Sequence, residues 1–174
     1  MSKFLKRSAH GAGVPHDKGT SNLETVKMTL PSKIVLSMGQ HIGAPAAPAV
    51  AKGDQVYVGT VVGKAGGFVS ADIHSGVSGV VQAVEPRPHT WGGMRPAIVI
   101  RNDHMNTPYP NRMPPLAPNM VNMDVLVERV RRAGVVGMGG GAWPTFDKLR
   151  QAAGKVDTLI INAARGGIID EQAL

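Results

Sequence analysis

One glycine-rich stretch, residues 134–145, constrains the fold of this chain more than any other part of the sequence. Five of the eight residues from Gly134 to Gly141 are glycine. Glycine lets backbone N–H groups approach a ligand without an intervening side chain, which suits a phosphate, although a flexible turn has the same composition. Pro144 and Thr145 then read as the start of a helix, and Lys148 adds an amine. These additions favour phosphate binding.

The residues from Gly137 to Leu149 resemble the flavin-binding loop GxGGAGFPTxxKL of the RnfC proteins. RnfC is the NAD-facing subunit of the Rnf ferredoxin:NAD oxidoreductase, and the related NADH-oxidising flavoprotein subunit of respiratory complex I has the same loop. The resemblance implies flavin mononucleotide (FMN) and NAD(H) as cofactors. Here Gly141-Ala142-Trp143 stands where the family has Ala-Gly-Phe, which predicts a larger aromatic side chain and a tight turn shifted by one residue.

The same resemblance implies roles for individual residues. Backbone N–H groups of the loop glycines would bind the FMN phosphate, and the lysine would neutralise its charge. The tryptophan would stack on a ring of the cofactor. The predicted cofactor-binding residues are Gly137, Gly139, Gly140, Gly141, Trp143, Lys148 and, from a later segment, Asn162.

Length and composition leave room for one ordinary domain or two small ones. The chain has 174 residues, of which 43% are hydrophobic, enough to bury a core. No apolar run approaches the roughly 18 residues of a membrane span, and the basic start, with Lys3, Lys6 and Arg7, lacks the apolar core of a signal peptide. We therefore expect a cytoplasmic protein. Peripheral binding to the inner face of the cell membrane is compatible with this location.

The net charge of +7 predicts an acidic partner. Nucleic acid, an anionic membrane surface and an acidic electron carrier all fit this charge, but only 4% of the residues are aromatic, which disfavours nucleic acid. The chain has no cysteine, so we expect no disulfide, cysteine-ligated zinc or iron–sulfur cluster in it. RnfC proteins carry their cluster-binding cysteines further along, so the resemblance implies that this chain matches their N-terminal portion only.

An extended arm is predicted for residues 1–24, because this segment is polar and contains glycine. His10 and His16 could bind a metal on spacing alone, but no third ligand is near in sequence, so a solvated arm is the favoured interpretation. The segment from Gly11 to Lys18 resembles the opening GGVHPPxxK of RnfC proteins.

Short β-strands separated by Gly, Pro and Asp are predicted across residues 25–102. Residues 73–81 read as a glycine-punctuated hairpin, and residues 52–59 as a strand bounded by turns. Both resemble recurring turns of the barrel-sandwich hybrid fold of lipoyl and biotinyl domains, and the whole layout resembles the corresponding region of RnfC proteins. The predicted strands are 33–36, 55–58, 61–62, 77–84 and 97–100.

Three side chains of this β module allow both a functional and a structural interpretation. Lys64 lies about where a lipoyl domain carries its modified lysine, so a non-enzymatic carrier or docking module is the alternative function. Gly63 in front of it is unusual for a carrier and favours an exposed lysine at a hairpin tip. His41 and His74 could act as ligands or acid–base groups, but hydrogen-bonded turn residues are the favoured interpretation.

Residues 103–120 predict a linker. They contain five prolines, which hold an extended path and exclude a helix, so the domain boundary is expected here.

Residues 121–174 predict the start of a Rossmann-like α/β domain that binds flavin and NAD. Asn122 can cap a helix that leads into the glycine loop, and Phe146 to Ala153 reads as a second helix. Val156 to Ala163 reads as a buried parallel strand. This strand resembles the RnfC sequence TLIINAAECEP, whose asparagine lies beside the flavin, and the resemblance assigns that role to Asn162.

The resemblance to RnfC ends after Ala164. The last residues resemble instead the segment NxARGGxxDExAL of D-2-hydroxyacid dehydrogenases, whose arginine, here Arg165, binds the substrate carboxylate. No G-x-G-x-x-G follows a predicted strand and no histidine follows Arg165, so nothing else in the sequence supports that enzyme.

The combined prediction is an α/β plus all-β chain in which a barrel-sandwich hybrid module precedes part of a flavin- and NAD-binding domain. The function that this implies is that of an RnfC-type electron-transfer flavoprotein subunit, which takes part in NADH/flavin electron transfer with the other subunits of a redox complex. One loop, helix and strand cannot form both walls of a dinucleotide cleft, so we expect a truncated chain or one that a partner completes.

Overall fold

The computed structural model describes residues 22–137 and 141–158. Contacts divide the chain into two units, and every helix and strand described here lies in the unit Thr29–Asp157. The described residues of the other unit, 22–28 and 158, are in no helix or strand. In chain order the elements are β1 (Lys33–Ser37), β2 (Ala47–Pro48), β3 (Gln55–Val56), β4 (Val61–Lys64), β5 (Ile73–His74), β6 (Gly79–Pro88), β7 (Met94–Asn102), a 3₁₀ turn (Pro118–Met120), α1 (Met123–Arg132) and α2 (Thr145–Ala152).

The strands form two antiparallel sheets. The first has four strands in the order β1, β7, β6, β3, and the second has three in the order β2, β4, β5. In β1, Ile34 and Leu36 pack against the core while Val35 between them is 49% exposed, the period-two alternation of a half-buried strand. In the central strand β7, the four residues 97–100 are all buried. The predicted strands at these two places are confirmed.

The core lies between the two sheets, because it collects buried side chains from both of them. Val56, Val81, Ile98 and Ile100 come from the first sheet, and Val62 and Ile73 come from the second, with Met38 and Ala46 completing the cluster. Burial of these aliphatic side chains is the main source of stability of the β module.

The predicted hairpin over residues 73–81 is wrong. β5 pairs with β4 in the second sheet and β6 pairs with β7 in the first, so this segment crosses from one sheet to the other. Ser75 exchanges backbone hydrogen bonds with residues 59 and 60, whereas the Ser78 hydroxyl donates to Asp103 over 2.6 Å. Hydrogen bonds therefore fix the segment on both sides of the crossing. A tight hairpin joins β6 and β7 through residues 89–93.

The proline-rich segment 103–120 is connected to the β module by backbone hydrogen bonds. The Val58 amide donates to the Thr107 carbonyl over 2.9 Å, and the Tyr109 amide donates to the Val58 carbonyl over 2.8 Å. The expectation of no helix needs one correction, since a single 3₁₀ turn forms at Pro118–Met120. Its proline lies in the first turn, where a missing N–H costs nothing. The division of the chain at this segment stays a prediction.

Both helices form where the sequence predicts them. Asn122 caps α1, its side-chain oxygen accepting from the Val125 amide over 2.9 Å, and this satisfies one of the free N–H groups at the helix start. After α2, Gly154 adopts a φ of +71°. The predicted strand from Val156 lies mainly outside the described residues, and residues 156–158 are in no strand. No helix in the described part of the chain is long and apolar enough to cross a membrane.

Candidate functional site

The glycine loop starts on a close contact between α1 and the β module. Gly134 follows α1 with a φ of +67°, and a Cβ on it would collide with the Asp72 carbonyl oxygen. Its amide donates to the Arg131 carbonyl over 3.1 Å, which ends the helix in the manner of a left-handed C-cap. Only glycine combines this conformation with this approach, so the loop begins at a fixed point on the β module.

Two backbone hydrogen bonds close the loop at its base. The Thr145 amide donates to the Val135 carbonyl over 2.9 Å, and the Gly137 amide donates to the Trp143 carbonyl over 2.9 Å. Val136 and Pro144 form an isolated antiparallel bridge between them. The segment from Gly137 to Trp143 is therefore a closed loop on a short ladder. Met138 to Gly140 lie outside the described residues, and with them the predicted site residues Gly139 and Gly140.

Three of the predicted site residues lie together at this loop. A Cβ on Gly137 would lie 4.0 Å from the Lys148 Nζ and 3.6 Å from the Trp143 amide nitrogen. The Lys148 side chain extends from α2 back towards the base of the loop and is exposed. Gly141 has open space on its Cβ side. Asn162 lies outside the described residues.

The tight turn is at Ala142 and is not shifted to Gly141, so that prediction is wrong. Ala142 has a φ of +41°, in the left-handed region, whereas Gly141 does not adopt a positive φ. Ala142 occupies the position where the RnfC motif has glycine. Its carbonyl accepts from the Ile42 amide over 3.3 Å, and the ladder fixes the neighbouring Trp143. Closure of the loop therefore imposes this conformation on an alanine.

The buried carboxylate of Asp147 organises the side chains below the loop. Asp147 is 1% exposed. Its Oδ2 accepts from the Trp143 Nε1 over 3.0 Å and from the Gln151 Nε2 over 2.6 Å, and its Oδ1 accepts from the Arg150 guanidinium over 2.5 Å. The Arg150 guanidinium also lies 3.9 Å from the centre of the Phe68 ring in the β module. This network fixes the indole of Trp143 relative to both α2 and the β module.

The sequence interpretation did not find Asp147, Arg150 or Phe68. Spacings of three and four residues on α2 permit contacts from Asp147 to Arg150 and Gln151, and this is the one local signal available. Nothing in the sequence brings Phe68, about eighty residues earlier, onto the guanidinium, because that contact depends on how α2 packs on the β module.

His41 forms hydrogen bonds outside the strands, as predicted, whereas His74 lies in β5 and not in a turn. His41 is buried; its Nε2 accepts from the Ala71 amide over 3.2 Å and its Nδ1 lies 3.1 Å from the Ile42 carbonyl. His74 is half-buried. Burial lowers the pKa of His74, and the nearby Lys64 acts in the same direction, against the opposite effect of Asp72.

Lys64 is exposed at the start of the β4–β5 loop, as predicted, but its ammonium group is paired. It ends β4, and its Nζ forms an ion pair of 2.6 Å with Asp72, a buried carboxylate that also accepts from the Ala65 amide over 2.9 Å. A lysine that carries a covalent cofactor must swing freely. This geometry therefore does not favour the carrier interpretation.

The chain is similar in sequence to one group of known proteins. Residues 6–105 match the family model described as the RnfC barrel sandwich hybrid domain, in agreement with the two-sheet β module. The chain is 41% identical over 135 residues to the C subunit of the Na(+)-translocating ferredoxin:NAD(+) oxidoreductase complex of Acetobacterium woodii, covering 77% of this chain and 30% of the relative.

Two further relatives extend the match towards the helices. The C subunit of the proton-translocating ferredoxin:NAD(+) oxidoreductase complex of Clostridium ljungdahlii is 36% identical over 165 residues, covering 92% of this chain and 36% of the relative. The C subunit of the ion-translocating oxidoreductase complex of Pseudomonas aeruginosa is 37% identical over 165 residues, covering 88% of this chain and 20% of the relative. The chain thus spans about a third or less of the length of these relatives.

Proposed function

This chain belongs to the RnfC family, and from that premise we propose that it binds FMN through its glycine loop as part of an electron-transferring redox complex. The loop from Gly137 to Trp143 and the ammonium of Lys148 hold the FMN phosphate. Two of the relatives are subunits of ferredoxin:NAD(+) oxidoreductase complexes. By analogy, the partners of this protein are the other subunits of such a complex.

One observation carries this proposal: Lys148 Nζ lies 4.0 Å from the Cβ position of Gly137, at the base of a closed glycine loop. A phosphate near the loop amides would then also lie within reach of an exposed ammonium group, and a charge-assisted hydrogen bond is about twice as strong as a neutral one. Gly141 leaves open space on the same loop. The described residues therefore fit a phosphate group.

The phosphate would be held by the loop and Lys148 more than by the N-terminus of α2. A helix N-terminus binds anions through its free N–H groups. Here the Thr145 amide already donates to the Val135 carbonyl and the Asp147 amide to the Pro144 carbonyl. Two of the first three amides of α2 are therefore engaged, as is the Gly137 amide, which donates to the Trp143 carbonyl, so Lys148 would supply the larger part of the phosphate binding.

Trp143 would supply the stacking surface for the flavin. Its indole N–H is engaged by Asp147, which orients the ring while leaving the side chain partly exposed. A bound FMN would supply the redox chemistry, accepting hydride from NADH and releasing electrons singly. The protein residues supply position and charge.

The NAD-binding part of the proposal rests on the family and on the sequence. The predicted strand Val156–Ala163, with Asn162, would continue α2 into a Rossmann-like layer. In this arrangement the net charge of +7 favours contact with an acidic electron carrier or with the anionic surface of the membrane that holds the complex. The protein would then lie on the cytoplasmic face.

The proposal is tested by comparing FMN with riboflavin, which lacks the phosphate. We expect the chain to bind FMN at least about tenfold more tightly, since a charge-assisted hydrogen bond contributes about 1.5–3 kcal/mol. The substitution Lys148→Gln should remove most of this preference, whereas Lys155→Gln, a charge-matched change at an exposed lysine after α2, should keep it. Equal affinity for FMN and riboflavin, or equal effects of the two substitutions, would refute phosphate binding at this loop.

A further inference from the structure

A cleft of about 550 Å³ is lined by residues of β4 and β5, of the segment 109–113 and of the end of α1. We propose that this cleft binds a small molecule that carries a doubly charged phosphate group. The site shares no residue with the loop from Gly137 to Trp143, and the proposal stands independently of FMN binding.

Three cationic side chains converge on the cleft from separate parts of the chain. Lys64 ends β4, Arg112 lies in the proline-rich segment, and Arg132 is the last residue of α1. Asp72 is the one carboxylate among the lining residues, and it is already paired with Lys64 over 2.6 Å. Three positive charges against one negative charge leave an excess of two positive charges in the lining.

The two arginines are not neutralised within the described part of the chain. The ion pairs there involve Lys64, Arg87 and Arg150, and the guanidinium groups of Arg112 and Arg132 form neither an ion pair nor a hydrogen bond. Like charges that face the same cleft repel each other, so a bound anion would relieve an unfavourable arrangement. Arginine presents a planar fork of N–H donors that matches the oxygen atoms of phosphate.

The remaining lining residues suit a polar anion. Tyr109 and Asn111 add hydrogen-bonding groups at the rim, and His74 lies half-buried at the side of the cleft. The negative end of α1 would oppose an anion, but the amides of Ala133 and Gly134 already donate to the Arg129 and Arg131 carbonyls. The helix end therefore presents its arginine to the cleft more than its carbonyl groups.

The volume and charge of the cleft limit the ligands that it can bind. Its volume, about 550 Å³, falls in the range of small-molecule sites. An excess of two charges matches a phosphate monoester or inorganic phosphate better than a singly charged carboxylate.

The experiment measures binding of inorganic phosphate and pyrophosphate to the whole chain at constant ionic strength by calorimetry. We expect saturable binding that weakens about tenfold or more in Arg112→Gln and in Arg132→Gln, because each removes a charge-assisted bond. Arg101→Gln, at an exposed arginine on β7 away from the cleft, is the charge-matched control and should bind as the parent does. Arg112→Lys keeps the positive charge but loses the planar pair of N–H donors. Its affinity for phosphate should therefore lie between that of the parent and that of Arg112→Gln.

Four outcomes would overturn the proposal. These are the absence of saturable binding, an equal loss in Arg101→Gln, a loss in Lys148→Gln without one in Arg112→Gln, and binding of malonate as tight as that of phosphate. Arg112 is exposed, so its substitution is not expected to unfold the chain, and thermal melting without ligand checks this. A variant that melts like the parent but no longer binds phosphate would support the site.

Discussion

The indole N–H of Trp143 donates a hydrogen bond of 3.0 Å to Oδ2 of Asp147, a carboxylate that is 1% exposed. The same carboxylate accepts from Gln151 and Arg150. A single buried acid therefore connects the last residues of the glycine loop to α2, and through Arg150 to the Phe68 ring of the β module. The tryptophan that departs from the RnfC motif has a partner that phenylalanine could not use.

Replacing Asp147 with asparagine should lower the free energy of unfolding by about 2 kcal/mol. The amide keeps the shape of the side chain but turns an acceptor oxygen into a donor that faces other donors, and a buried donor without an acceptor is costly. The partial exposure of Arg150 reduces the effect of losing the ion pair. Urea denaturation measures the change, with Glu128→Gln on the exposed face of α1 as the control. A loss no larger than that of the control would show that the network contributes nothing to stability.

Replacing Ala142 with glycine should raise the free energy of unfolding by about 1 kcal/mol. Alanine at a φ of +41° is strained by contact between its Cβ and its own backbone, and glycine is not. Ala133 provides the control, because its φ of −72° is unstrained for alanine. Ala133→Gly should therefore lower the free energy of unfolding by about 0.5–1 kcal/mol, a change of opposite sign. Destabilisation by Ala142→Gly would mean that the turn is not at this residue.

Two glycines of the site should respond differently to alanine. Gly134→Ala should lower the free energy of unfolding by roughly 2–3 kcal/mol, because its Cβ would collide with the Asp72 carbonyl at an unfavourable φ. At Gly137 the nearest atom would be 3.6 Å away, an ordinary contact, so stability should change by less than about 0.5 kcal/mol.

The variants Gly134→Ala and Gly137→Ala also distinguish an effect on folding from an effect on ligand binding. The Gly137 amide donates to the Trp143 carbonyl, but a Cβ on this residue would lie 4.0 Å from the Lys148 Nζ. If the FMN phosphate lies beside Lys148, Gly137→Ala should weaken FMN binding by filling that space, without changing the melting temperature. Thermal melting and flavin titration on the two variants measure both quantities. Normal FMN affinity in Gly137→Ala would show that the phosphate does not lie in the space between Gly137 and Lys148.

The stability of the chain should depend on pH through His74. Burial lowers the pKa of His74 below its ordinary value of 6.5, so between the two values the unfolded chain binds more protons than the folded one. Stability is therefore fully present above pH 6.5 and decreases as the pH falls through the pKa of the folded state. Asp72, Lys64 and the backbone of Arg132 are the groups that influence this titration.

The measurement is urea denaturation at about one pH unit above and one below 6.5. His74→Gln should lose less stability on acidification than the parent does, and His104→Asn, at an exposed histidine, should behave like the parent. An identical pH dependence in His74→Gln and the parent would exclude His74 as the source.

Local signals in the sequence were sufficient to locate the helices and the longer strands. Asn122 is a cap that acts within three residues, and the alternation in residues 33–36 is a property of one strand. The glycine motif likewise identified the loop and Lys148, since both lie within thirteen consecutive residues. These features depend on neighbours along the chain, and a sequence displays such neighbours directly.

The error at residues 73–81 shows where this information ends. A turn containing Gly76 and Gly79 can reverse a strand or carry it to another sheet. The choice was made by the pairing of β5 with β4 and of β6 with β7. Those partners are distant in sequence, and their contacts are made only when the core between the sheets closes.

The sequence by itself determined the family, the two-part pattern of strands followed by helices, and the loop with its lysine. Only the tertiary structure decided that the tight turn falls on Ala142, that Asp147 holds Trp143 to Arg150, and that Lys64, Arg112 and Arg132 share one cleft. The physical reason is the same in each case. The Ile42 amide that contacts Ala142, the Phe68 ring that contacts Arg150 and the three cations of the cleft all come from segments far apart in the chain, and packing of the helices against the β module brings them together.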